Sequence, residues 1–228
     1  MKIFETERLI LREITVDDAA FALDLLNQPS FIKYIGDRGV RDLDQSRDFI
    51  ENRYRKSYSD HGYGLYVVEL KEPVSDAGTQ RRSDAEKEES EKVRNLEGEE
   101  INPPSASPSP VLGGVAAASV DGVVIPQSIG ICGFVRRSEL PAPDIGFAFL
   151  PQYEGKGYGF ESASAILRYG VEKLNFDVVL AITSQDNEIS GKLLKKLGFN
   201  YDRLISMPNG EVLKLFRFVA HDPGKIVG

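Results

Sequence analysis

Gly155, Lys156, Gly157, Tyr158 and Gly159 follow one another closely behind Gln152, Tyr153 and Glu154. An apolar run over 145–150 leads into this stretch, and a helical pattern leads out of it. Glycine admits backbone conformations that a Cβ forbids. Several N–H groups can then converge on one point at the electropositive start of a helix. Such a loop is a site for a pyrophosphate, and Lys156 can add a point charge beside it. Two other phosphate loops do not fit. Gly155, Gly157 and Gly159 are spaced by two, unlike the dinucleotide pattern G-x-G-x-x-G, and the G-x-x-x-x-G-K-[ST] nucleotide loop is absent.

Few other side chains offer chemistry. The chain has one cysteine, Cys132, and two histidines, His61 and His221, so an intramolecular disulfide and a cysteine- or histidine-rich metal site are not expected. Cys132 lies within a strand pattern and reads as a small core residue. His61 reads as a loop residue. Asp144 stands at the head of the apolar run. Glu161 falls in the first turn of the helix after the glycines, where the helix dipole accounts for it. Asn187 has the type and position of a helix N-cap, with Ser190 three places on.

These residues need a scaffold. Residues 8–14 read as a strand, 19–26 as a short helix closed near Pro29, 42–58 as a second helix, and 63–70 as a strand. Further strands are predicted over 129–136 and 145–150, the latter central and covered on both faces. A helix over 159–174 packs through Ala163, Ile166, Leu167 and Gly170. A strand over 178–183 and a helix from Asn187 closed by Gly198 follow. Residues 199–205 and 212–218 form a last strand pair across a Met207-Pro208-Asn209-Gly210 turn. The sum is an α/β domain around one mixed sheet.

One stretch breaks the pattern. No aromatic residue occurs between Tyr66 and Phe134, and six of the twelve prolines fall between Pro73 and Pro126. A charge run over 86–92 and the Pro/Ser-rich 103–110 bury too little apolar area to offset the entropy of ordering. Residues 72–109 are therefore expected to be a disordered insertion. The domain then comprises 1–71 and 110–220, with 221–228 a tail, and 111–125 reads as either a strand or loop. A net charge of −7 argues against a nucleic-acid surface. No apolar run is long enough to span a bilayer, and the first residues are acidic rather than signal-like. The expectation is a cytoplasmic protein, a monomer or homodimer with no membrane partner.

The strand–loop–helix around Gln152-x-x-Gly155-x-Gly157 resembles motif A of the GNAT N-acetyltransferases. Glu5-Thr6-Glu7-Arg8-Leu9-Ile10-Leu11-Arg12 and Asp144-Ile145-Gly146-Phe147-Ala148-Phe149-Leu150-Pro151 resemble two strands of the branch containing the ribosomal-protein alanine acetyltransferases. Asn187-x-x-Ser190-x-x-Leu193-Leu194-x-x-Leu197-Gly198-Phe199 resembles its coenzyme-A-contacting region. The resemblance implies a GNAT fold, acetyl-CoA as donor, and an amine acceptor, either a protein N-terminus or a small amine. It implies that the backbone of Phe147, Phe149 and Leu150 pairs with the pantetheine arm. Gln152, Tyr153, Gly155, Lys156, Gly157, Tyr158 and Gly159 would hold the pyrophosphate, and Asn187 and Ser190 would approach pantetheine and thiol. Asp144 stands where many members place a glutamate base, while Tyr34, Arg38 and Arg41 stand where the fold covers the acceptor. Many members carry a tyrosine acid four residues after the serine. Here that place is Leu194, which leaves Ser190 or water as thiolate donor. The same departure keeps a second reading open, an acyl-CoA-binding module with little turnover.

Overall fold

The computed structural model describes residues 2–71 and 126–220. The expected insertion, the stretch 111–125, His221 and the rest of the tail lie outside the described residues. Eight strands form one mixed sheet: β1 (Lys2–Glu5), β2 (Leu9–Glu13), β3 (Leu65–Leu70), β4 (Gln127–Val135), β5 (Asp144–Phe149), β6 (Val178–Ser184), β7 (Asn200–Ser206) and β8 (Val212–Val219). Their spatial order is β1-β2-β3-β4-β5-β6-β8-β7. The β2/β3, β4/β5 and β6/β8 ladders are antiparallel, and β5 runs parallel to β6.

Alternation along the strands sends side chains to the two faces of the sheet. Tyr66, Val68, Cys132, Phe134 and Ile145 pack with α5 (Tyr158–Glu172) and α6 (Glu188–Lys196) on one face. Val67, Ile131 and Leu150 pack on the other with α1 (Ala19–Leu26), α2 (Pro29–Tyr34) and the helix that starts as α3 (Leu43–Phe49). That helix widens into a π-helical stretch, Ile50–Arg55, and ends as α4 (Lys56–His61) with Gly62 at φ 75°. Helix α5 buries Ala163, Ile166, Leu167 and Gly170, the face that its spacing predicts. Its fully buried aliphatic side chains contribute on the order of 1.5–3 kcal/mol each. A buried ion triad fastens the first elements. Arg12 binds Asp18 at 2.6 Å and Glu69 at 2.7 Å, tying β2 to β3 and to the start of α1. Burial pushes the Asp18 carboxyl up, but bonds from Arg12 and the Thr15 N–H outweigh it and hold the pKa low.

Two elements go beyond the sequence reading. Lys2–Glu5 is a strand of its own, paired to β2. Pro29 opens α2 instead of merely closing α1, as its fixed φ and missing N–H suit a first helical position. Tyr34 is therefore the last residue of a helix. Coverage of β5 also differs from expectation. Asp144 and Ile145 are buried, but Gly146 to Phe149 remain half-buried, because β6 leaves their side. No helix among the described residues is long and apolar enough to cross a membrane.

Candidate active site

The site begins where two parallel strands part. β5 and β6 share a single register pair, Asp144 with Leu180, alongside a 2.9 Å bond from the Leu180 N–H to the Pro143 carbonyl. Beyond it β6 stays with β8 through Ser184, while β5 stays with β4 through Phe149. A gap opens between them. Backbone groups of a strand alternate sides, so with Pro143 facing β6, Phe147 and Phe149 direct N–H and C=O toward the gap. Leu150 does not. Its N–H donates to the Ile129 carbonyl at 2.9 Å and its side chain is buried, so that N–H is already engaged with β4.

The gap leads to the glycine loop. Pro151–Tyr153 makes one tight turn with Gln152 exposed, and the chain then reaches α5 through Gly155 at φ 73° and Gly157 at φ 85°. These left-handed conformations strain any residue with a Cβ. No described residue accepts a bond from the N–H groups of Gly155, Lys156 or Gly157. The N–H groups of Tyr158 and Gly159 continue the row as first-turn donors of a helix. The loop thus fits a pyrophosphate with backbone alone. Lys156 is exposed, its ammonium 5.7 Å from the Tyr153 ring, while the Tyr158 side chain is buried in the core.

Arg8, within the strand pattern of residues 8–14, braces this loop. Its Nη1 donates to the Lys156 carbonyl at 3.1 Å, and its guanidinium lies 4.6 Å from the Tyr158 ring centroid. Across a trans peptide the Gly157 N–H must point away from that carbonyl and from Arg8. Glu161 holds Arg8 in turn, accepting from Nε at 2.7 Å and from the Arg8 N–H at 2.9 Å, with the Thr6 hydroxyl as a third donor. Burial pushes the Glu161 carboxyl up, but those donors hold its pKa low. Residues about 150 positions apart meet here, and no local pattern announces the pairing.

The other end of β5 is built from charge. Asp144 is 2% exposed and accepts from Arg137 Nε at 3.1 Å and 3.2 Å. Burial pushes its pKa up to about 6, against the pull of Arg137. Asp144 alternates with Gly146 and Ala148, which places it on the α1–α4 side. On that side α2 packs Phe31 with Leu150 and also reaches across the gap: Lys33 binds Asp186, after β6, at 2.9 Å and donates to the Tyr34 hydroxyl at 3.0 Å. Arg38 follows α2, donating to the Ile35 carbonyl at 3.2 Å. Arg41 is occupied by Asp37.

On the opposite wall, Asn187 Oδ1 accepts the Ser190 N–H at 3.0 Å and caps α6. Its side chain is thereby employed locally. The half-buried Ser190 hydroxyl has no partner among the described residues. Leu194 is core. His61 ends α4 against the Tyr63 ring, and Cys132 is buried in β4, so neither faces the gap as a nucleophile.

The profile of the acetyltransferase (GNAT) domain matches residues 8–97 and 114–200. The uncharacterized N-acetyltransferase YnaD of Bacillus subtilis (strain 168) is 40% identical over 55 residues, 24% of this chain and 32% of that protein, so the match spans about a third of the relative. An acetyltransferase structure from Agrobacterium tumefaciens str. C58 superposes with a TM-score of 0.61 at 19% identity, covering 96% of this chain and 94% of the other. RimL, a ribosomal L7/L12 α-N-protein acetyltransferase solved with coenzyme A, superposes with a TM-score of 0.62 at 11% identity, covering 96% and 98%.

Proposed function

This chain belongs to the GNAT acetyltransferases, and from that premise we propose that it transfers the acetyl group of acetyl-CoA to the amine of a protein N-terminus or a small molecule. One observation carries the reading. An unpaired strand edge, at Phe147 and Phe149, runs straight into a loop of free N–H groups at a helix start. An extended amide-bearing arm adds to the edge as a strand would, and its diphosphate reaches the loop.

Acetyl-CoA supplies an activated acyl group as a thioester. The chain supplies position and proton handling. The Phe147 N–H is a donor in the gap for the carbonyl oxygen as charge grows on it. Asp144 is the proposed base, taking the amine proton directly or through one water. Its raised pKa of about 6 makes it a stronger base than an ordinary aspartate while leaving it ionised at neutral pH. Arg137 fixes its orientation. The free hydroxyl of Ser190, or a water beside it, returns a proton to the departing sulfur. Tyr34 and Arg38, at and after the end of α2, form the acceptor side.

The test is thiol release from acetyl-CoA by the full chain with a panel of peptide N-termini and small amines. Release that depends on an amine is expected. Uptake of acetyl-CoA with no release for any amine would leave an acyl-CoA-binding module instead, the reading that Leu194 in place of a tyrosine favours.

A further inference from the structure

Helix α2 meets both walls of the gap. Phe31 is buried in the cluster that also holds Leu150, the residue that follows β5. Two places along the helix, Lys33 Nζ lies 2.9 Å from Asp186 Oδ2, in the turn that follows β6. β5 and β6 run parallel, so these two strand ends lie at the same end of the gap. The helix therefore spans the gap where both strands finish, on the α1–α4 side. Its two footings differ in kind. Phe31 is fixed by apolar packing, whereas the ion pair is open to solvent, at 58% and 61% exposure. An exposed pair holds weakly and opens readily. Ile32, within the helix, and Ile35, just after it, are exposed as well. Asp186 itself is held in place by its turn, where the Asn187 N–H donates to the Ser184 carbonyl at 3.2 Å and the Glu188 N–H to the Asp186 carbonyl at 3.0 Å. Lys33 donates to the Tyr34 hydroxyl at 3.0 Å, and its ammonium lies 4.5 Å from the centre of that ring. Pro29 opens α2 and Gly36, at φ 105°, comes soon after it, so the helix is a short piece of its own rather than an extension of α1.

On the opposite face α5 and α6 close together against β5. A Cβ on Gly159 would lie 3.5 Å from Leu193 Cδ2 and 3.6 Å from Phe149 Cε2. An extended arm lying along Phe147 and Phe149 thus has strand edges at its sides, this packing beneath it and α2 above it. It must pass under α2 to bring its diphosphate to the glycine loop, which begins just beyond Leu150. Resting on the coenzyme reading above, we infer that Lys33 and Asp186 are positioning residues that latch α2 over the arm and retain the bound coenzyme. With the pair closed, the arm is enclosed on every side. With the pair open, it leaves sideways through the α1–α4 face. A contact that shuts over a ligand without entering the chemistry acts on the rate of release.

The experiment follows release of etheno-coenzyme A, fluorescent at its adenine, from the full chain after a chase with excess unlabelled coenzyme A in a stopped-flow instrument. Wild type is compared with Lys33→Gln, Asp186→Asn and the double variant. Each single variant should release the coenzyme about three- to fivefold faster, and the double variant no faster than either. Both side chains are exposed, so melting temperatures should not move. The two single variants change the charge in opposite senses, which separates a latch from plain attraction of Lys33 for an anionic ligand. Attraction alone predicts that Asp186→Asn holds the coenzyme longer. Slower or unchanged release in Asp186→Asn, or effects that add in the double variant, overturns the inference while coenzyme binding stands. A wild-type chain that takes up no coenzyme A overturns the coenzyme reading, and the latch with it.

Discussion

The two ends of β5 solve opposite electrostatic problems by opposite means. In the proposed reaction its C-terminal end meets a strongly charged, solvent-exposed anion with backbone alone, through Gly155, Gly157 and the first turn of α5. At its N-terminal end stands the proposed base, and there the chain buries a carboxylate and pairs it with an arginine. Fixed dipoles bind without titrating. A buried side chain titrates near neutrality because burial has moved it there. Binding and proton transfer are thus separable along one strand, and substitutions at one end should leave the other end's property in place.

The largest effect is expected at the loop. Gly157→Glu forces a residue with a Cβ into φ 85°, with that atom 3.3 Å from Arg8 Nη2, and sets a negative charge in the anion site. Backbone strain and repulsion together should weaken acetyl-CoA affinity about a thousandfold in a calorimetric titration. Near wild-type affinity in a folded variant would show that the loop does not hold the diphosphate.

Asp144→Asn tests the other end. Turnover should fall about a hundredfold, with acetyl-CoA affinity changed less than about twofold. The defect should be largest above pH 6 and shrink below it, where the wild-type carboxyl is itself protonated. A pH–rate profile checks this, and wild-type turnover would remove Asp144 from the mechanism. The same variant reports on stability with a definite sign. Below the ordinary value of 3.8 the carboxyl is neutral folded or unfolded. Between 3.8 and about 6 only the unfolded chain has released the proton, so wild-type stability falls as pH rises. Above 6 the loss is constant, about 2–3 kcal/mol at most for a shift of this size. Relative to wild type, the asparagine variant should gain stability across pH 4–6 in denaturant titrations and gain no more above it. A difference that stays flat across this window would mean that Asp144 is not buried as a charge.

Legibility in the sequence divides along the same line. Local devices were readable: α1 over 19–26, the buried face of α5, the Asn187 cap, and the glycines before α5 all follow from spacing within a few residues. The parting of β5 and β6 was not, because the apolar run at 145–150 looks alike whether a neighbouring strand continues or leaves. The exposed inward edge of Phe147 and Phe149 and the unavailable N–H of Leu150 follow only from pairing. Pro29 was read as a stop when it is also a start. The arginines were the hardest. Arg8 and Arg137 acquire their roles from Lys156 and Asp144, partners supplied by other elements of the fold.

Arg8 sharpens the contrast most finely, since it is a charged side chain at the end that binds through backbone. If it neutralised the diphosphate directly, a lysine would largely replace it. Its geometry says otherwise: Nε belongs to Glu161, Nη1 to the Lys156 carbonyl, and the guanidinium face to the Tyr158 ring. A lysine ammonium cannot make these contacts together. The Arg8–Glu161 pair is partly exposed and contributes little to global stability. Its effect is local, fixing the Lys156–Gly157 peptide, whose N–H is a proposed donor to the diphosphate. Arg8→Ala and Arg8→Lys should therefore weaken acetyl-CoA by similar amounts, about five- to tenfold, with melting temperature and turnover at saturation nearly unchanged. Rescue by lysine, seen as affinity restored in calorimetry, would make Arg8 a counter-charge, and the loop's binding would then rest on a side chain after all.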